Sequence, residues 1–248
     1  MPESIVLLHG FGGTRHAWDG VVAHLDAQRY RPLALDLPGH GDAAALEGPT
    51  TFAGCVQHVL DRSPERFALC GYSFGGRIAL QTALAAPDRV ARLVLVSATA
   101  GIEDPGERER RRLADHRLAE QLETEPYEEF IERWRSQPLF AHDPPRVAEL
   151  AREDQRRNSP AALAVVLRGT GTGEMEPLWG RLGELRMPVA VVAGRRDVKF
   201  LAIARRLAEL IPDARLHVLD GGHALALERP AELAKVLRRG VREHSPGP

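Results

Sequence analysis

The chain has 248 residues, with 33 basic and 34 acidic side chains, a formal charge of −1 and 44% hydrophobic residues. These are ordinary globular proportions, which exclude disordered and fibrous classes; the length suits one α/β domain, alone or with an inserted sub-domain. No apolar run approaches the ~20 residues that span a bilayer, no basic-then-apolar leader opens the chain and no basic stripe points to nucleic acid, so a soluble cytoplasmic protein is expected.

Short apolar runs rich in β-branched residues alternate with longer helical patterns, the signature of a parallel sheet with crossover helices. Strands are predicted at Ser4–His9, Arg31–Asp36, Phe67–Gly71, Arg92–Ser97, Val189–Ala193 and Arg215–Leu219. Runs such as Ile5-Val6-Leu7-Leu8 and Leu93-Val94-Leu95-Val96 are apolar on both faces, as strands covered by helices on both sides must be. Helices are predicted at Ala17–Ala27, Thr51–Asp61, Phe74–Ala85, Phe200–Leu210 and Pro230–Val241, with a frayed tail from His244 to Pro248. The rhythm breaks between Thr99 and Met187. That stretch carries a charge run from Glu107 to Arg112, amphipathic helical patterns and several prolines, and no strand pattern. A core built from residues 1–98 and 188–248, with residues 99–187 forming a helical lid over the strand ends, is the expected organisation.

The strongest local signal is Gly71-Tyr72-Ser73-Phe74-Gly75, where an apolar strand ends and a helical pattern begins at once. In G-x-S-x-G the serine occupies a strained strand-to-helix turn that exposes its Oγ at a helix N-terminus, where the dipole favours negative charge. A serine hydroxyl is inert without a base, so an acid and a histidine should follow. Asp197 follows the fifth strand and His223 the sixth, which completes a Ser73, Asp197, His223 constellation. Gly10-Phe11-Gly12-Gly13 after the first strand lets backbone N–H groups approach a ligand, so the N–H groups of Phe11 and Phe74 are the candidate oxyanion donors. His40, in Pro38-Gly39-His40-Gly41, reads as a turn stabiliser. Cys55 and Cys70 have neither disulfide nor metal-site spacing, and no metal is expected.

These residues, in this order, resemble the α/β-hydrolase superfamily along the whole chain, with that fold's leading antiparallel hairpin absent. Leu167-Arg168-Gly169-Thr170-Gly171-Thr172-Gly173, Asp197-Val198-Lys199-Phe200 and Asp36-Leu37-Pro38-Gly39-His40-Gly41 are more specific. They make the chain similar to the 2-succinyl-6-hydroxy-2,4-cyclohexadiene-1-carboxylate synthases of menaquinone biosynthesis. That resemblance implies a lyase needing no cofactor, which removes a proton from 2-succinyl-5-enolpyruvyl-6-hydroxy-3-cyclohexene-1-carboxylate and expels pyruvate. Ser73, activated by His223, would serve as a base rather than an acyl nucleophile; the residues alone leave both roles open. The three carboxylates of such a substrate call for charged donors. Arg77, one helical turn past Ser73, can face the same cavity. Positional match to the family pattern adds Tyr72, Trp134, Arg111 and Arg156, with Arg110, Arg112 and Arg157 as neighbours that could take the arginine roles. The competing readings are a serine hydrolase, an esterase or C–C bond hydrolase acting on a small anion, and a non-catalytic binding module.

Overall fold

The computed structural model describes residues 2–44 and 50–238. The chain opens with β1 (Glu3–Leu8), a 3-10 turn at Arg15–Trp18 and a short helix α1 (Asp19–Val22). Then come β2 (Tyr30–Leu35), α2 (Phe52–Arg62), β3 (Phe67–Tyr72), α3 (Phe74–Ala85) and β4 (Val90–Val96). Four helices follow before the next strand: α4 (Pro105–Thr124), α5 (Tyr127–Arg135), α6 (Pro145–Gln155) and α7 (Pro160–Thr170). The chain then returns through β5 (Val189–Gly194), α8 (Val198–Leu210), β6 (Ala214–Leu219), α9 (Leu225–Glu228) and α10 (Pro230–Arg238).

The six strands pair in the order β2-β1-β3-β4-β5-β6, and every pairing is parallel. Successive strand residues point to opposite faces, and the apolar runs supply both. Val6, Leu8, Leu69 and Leu95 pack under α2, α3 and α8, while Ile5, Leu7, Cys70 and Val94 pack against Trp18, Val21, Leu233 and Leu237. Strand order reverses between β1 and β3, so the loops leaving these two strands diverge and open a crevice at their carboxyl ends, where ligands bind in such sheets.

Two expectations need amendment. The helix predicted at Ala17–Ala27 is a 3-10 turn and one short α-helix. Ala17, Trp18 and Val21 are buried by those turns, and Asp26 then reverses the chain by accepting from the N–H groups of Gln28, Arg29 and Tyr30. The last helix is described to Arg238, so its predicted end at Val241 and the tail beyond lie outside the described residues.

Between β4 and β5 the chain forms helices and 3-10 turns only. Asp104 caps α4 by accepting from Glu107 N–H, with Pro105 at the first helical position; Ser159 and Pro160 start α7 in the same way. α4 and α7 pack together, and Ala119, Leu122, Phe130, Leu163, Ala164 and Leu167 form a small core of their own, against which Phe11 of the first loop packs. No helix among the described residues is long and apolar enough to cross a membrane.

Candidate active site

The turn between β3 and α3 places Ser73 at φ 51° and ψ −106°, a conformation that L-residues rarely adopt. It holds because the chain is packed too closely to relax. A Cβ on Gly71 would overlap the Gly75 carbonyl, and one on Gly75 would overlap the carbonyls of Leu8 and His9. Ser73 N–H donates to Val96 O at 2.9 Å and Gly75 N–H to His9 O at 3.0 Å, tying the turn to β4 and β1. Strain of this kind costs about 1–3 kcal/mol and persists only where the surroundings enforce it.

His223 is 1% exposed. Its Nε2 lies 3.1 Å from Ser73 Oγ and its Nδ1 lies 2.6 Å from Asp197 Oδ2. Asp197 is also the N-cap of α8, its Oδ1 accepting from Phe200 N–H at 3.2 Å. One carboxylate thus orients the imidazole and starts a helix, which accounts for the Asp197-Val198-Lys199-Phe200 element. The same helix start places the Phe200 ring, tilted by 54°, 4.6 Å from the imidazole. From the other side Ser97 Oγ, on a second non-glycine residue of positive φ (48°), donates to His223 O at 3.2 Å.

Phe74 begins α3 and Phe11 lies in the loop after β1, and neither N–H finds an acceptor among the described residues. The loop is pinned from behind. Gly12 N–H donates to His40 Nε2 at 3.2 Å and Asn158 Nδ2 donates to Gly12 O at 2.8 Å. Thr14 gives both its N–H and its hydroxyl to Asp154, at 2.8 and 2.5 Å. His40 therefore does more than stabilise its own turn. Burial, reinforced by His9 at a ring distance of 4.8 Å, holds its pKa well below the usual imidazole range and keeps Nε2 an acceptor.

A cavity of about 960 Å³ lies between these strand ends and the helices of residues 99–187. Ser73, His223, Tyr72, Arg77, Arg111 and Trp134 all line it. The Tyr72 ring stands 5.4 Å from that of His223, and Trp134 packs edge-on to Phe11 at 5.2 Å. Arg77 is 8% exposed, with Phe74 and Phe52 beneath its guanidinium, and its Nη1 donates to Thr170 O at 2.9 Å. Burial and, secondarily, nearby Arg111 lower its pKa to about 10, so it stays cationic at neutral pH. The glycine-rich run after α7 makes this possible. It packs so tightly on α4 that a Cβ on Gly173 would overlap the Arg112 backbone, and it presents the Thr170 carbonyl to Arg77. Arg111 Nε is held 2.8 Å from Asp115 Oδ1, on a fully buried carboxylate that also lines the cavity.

Arg156 is not part of this set. It sits at the C-cap of α6, outside the cavity, where its guanidinium pairs with Glu128 at 3.0 Å and Glu149 at 3.6 Å. Arg157 is more than half exposed and faces Asp154 at 3.8 Å. Asp154 and Gln155 of this stretch do line the cavity, Gln155 being 5% exposed with its Oε1 unpartnered. A carboxylate handle was expected here from the arginines, but Glu128, 28 positions earlier, draws the first of them outward. Sequence reasoning also passed over Ser97, Phe140 and Arg135, none of which carries a motif.

An alpha/beta hydrolase family model matches residues 5–236. The 2-succinyl-6-hydroxy-2,4-cyclohexadiene-1-carboxylate synthase of Enterobacter sp. (strain 638) is 35% identical over 244 residues, covering 96% of this chain and 91% of that protein. The enzyme of the same name from Salmonella typhimurium is 32% identical, over 95% and 94%. The solved structure of MenH from S. aureus superposes with a TM-score of 0.89 at 31% identity, covering 95% of this chain and 91% of that one. With its parallel sheet and strained serine turn, this chain belongs to the α/β-hydrolase family and, within it, to the 2-succinyl-6-hydroxy-2,4-cyclohexadiene-1-carboxylate synthases.

Proposed function

We propose that this chain eliminates pyruvate from 2-succinyl-5-enolpyruvyl-6-hydroxy-3-cyclohexene-1-carboxylate to give 2-succinyl-6-hydroxy-2,4-cyclohexadiene-1-carboxylate, in the cytoplasm and without a cofactor. The observation that carries this reading is a buried Arg77, cationic at neutral pH, one helical turn from Ser73, inside a cavity that also holds Arg111. A guanidinium kept from water without a carboxylate of its own suits an anionic ligand.

In this mechanism Ser73 Oγ takes the proton from the carbon next to the succinyl carbonyl while its own proton passes to His223 Nε2. Asp197 holds Nδ1–H and stabilises the imidazolium. Electron density moves onto the succinyl carbonyl oxygen, where the N–H groups of Phe11 and Phe74 receive it. Its return forms the 2,3 ring double bond, shifts the existing 3,4 double bond to 4,5 and breaks the C5–O bond to the enolpyruvyl group, which leaves, accepts the proton held by His223 and becomes pyruvate. Arg77, Arg111 and Tyr72 would hold the substrate, Trp134 would cover it, and residues 99–187 would serve as the lid that excludes water. The two buried free thiols, with burial pushing Cys55 up to about 12, suit a reducing compartment.

Pyruvate release in metal-free buffer, with Ser73→Ala beside the parent protein, tests the reading. Rapid release that falls at least ~10³-fold in the variant is expected. Absence of release, with hydrolysis of a simple aryl ester instead, would replace the lyase by a hydrolase.

A further inference from the structure

Six cationic side chains line the cavity: Arg77, Arg111, Arg135, Arg196, Lys199 and Arg206. Arg196 and Arg206 are 35% and 47% exposed and paired with acids at the rim, and Lys199 is exposed. Arg135, at the end of α5, differs from these. Its side chain is 6% exposed and pairs through Nη2 with Asp143, whose side chain is 2% exposed. The pair is incompletely satisfied. Arg135 Nε and Asp143 Oδ1 are both buried without a hydrogen-bond partner, and Arg135 Nη1 makes no hydrogen bond among the described residues. A buried ion pair built for stability alone would be expected to satisfy those atoms.

Its position is equally specific. The guanidinium lies 4.1 Å over the Phe140 ring, and that ring is 6.0 Å from the His223 imidazole, so the pair sits one aromatic ring from the base. Burial raises the pKa of Asp143 despite the adjacent guanidinium, which marks it as a reluctant anion. With Arg156 turned outward, Arg77 and Arg111 leave one carboxylate of a tricarboxylate substrate without a cation.

We propose that Arg135 is the third carboxylate-binding arginine of this cavity, held in place by Asp143 until a substrate carboxylate engages its free N–H groups. The assignment rests on the tricarboxylate reading given above. Asp143 then acts as a weak internal competitor, so its removal should favour substrate, whereas removal of Arg135 should weaken binding.

The test is the split between KM and kcat for pyruvate release in Arg135→Gln, Asp143→Asn and the double variant, which replaces the charges by an amide pair that can still hydrogen-bond. Arg135→Gln and the double variant should raise KM at least tenfold, with the loss carried by KM rather than kcat, and Asp143→Asn should lower KM severalfold. Thermal unfolding of the double variant near the parent's midpoint shows that the effect is not one of folding. A folded double variant with the parent's KM, or a loss confined to kcat, overturns the assignment. A parent protein that releases no pyruvate overturns the tricarboxylate reading and the assignment together.

Discussion

At the residue scale, the site depends on atoms that each meet two demands. Asp197 uses one oxygen to cap α8 and the other to orient His223, so the acid cannot drift without unwinding a helix start. His40 closes its own turn and accepts from Gly12 N–H, which it can do only while neutral. Burial lowers the pKa of His9, His40 and His58 alike. In the unfolded chain these imidazoles take up protons near pH 6.5, whereas the folded chain resists them until lower pH. Below about 6.5 the unfolded state therefore binds more protons, and stability falls as pH falls, by at most ~1.4 kcal/mol per pH unit for each histidine. The thermal midpoint should drop between pH 7.5 and 5.5, and His40→Gln should make that slope shallower. A midpoint independent of pH over this range would contradict the account.

What could be read from the sequence at this scale follows from how local each signal is. Ser73 follows its strand directly and Asp197 and His223 lie a short turn beyond theirs, so their neighbours along the chain announce where they must lie. Arg156 fails the same reasoning because its direction is set by Glu128 on another helix, and no local pattern encodes that. Arg135 is invisible for a like reason: in sequence it is one more arginine on a polar helix, and only folding buries it against Asp143.

At the scale of elements, the four helices after β4 are coupled to the first loop through few residues. Asp154, at the end of α6, receives Thr14; Asn158, just beyond it, donates to Gly12 O and accepts from Gly41 N–H at 3.0 Å. The loop that offers the Phe11 N–H is thereby fastened to the covering helices as well as to the sheet. Asn158→Ala should lower kcat about tenfold through a misplaced donor, less than the ~10²–10³ for losing a donor outright. It should also lower stability by about 1–3 kcal/mol from the groups left unpaired. Steady-state kinetics with thermal unfolding checks both, and an unchanged kcat would show that the loop holds its shape without the helices. Strands and long helices were legible because their periodicity extends over many residues. The segment after Ala17 was not, because the same apolar spacing is satisfied by a 3-10 turn and one short α-helix, and Asp26 ends the run.

For the whole molecule, the sheet order explains why one site collects residues from Phe11 to His223. Strand order reverses between β1 and β3, so the donor loop and the serine turn leave adjacent strands and diverge. β5 and β6 then bring Asp197 and His223 to the same end. Helices inserted between β4 and β5 bring Arg111, Trp134 and Gln155 over that end without disturbing any strand. The same frame supports acyl transfer in other members of the superfamily, so the identity of the fold does not choose the chemistry; in the proposed reading the arginines lining the cavity do.

In the proposed mechanism Ser73 moves a proton and never forms a bond to the substrate. Rapid mixing of the protein with the enolpyruvyl substrate, quenching during turnover and weighing the intact chain and its Ser73 peptide tests this directly. The account predicts pyruvate in solution and an unmodified Ser73 at every time point. An acyl adduct on Ser73 that forms and decays at the rate of turnover would contradict it and make the serine a nucleophile.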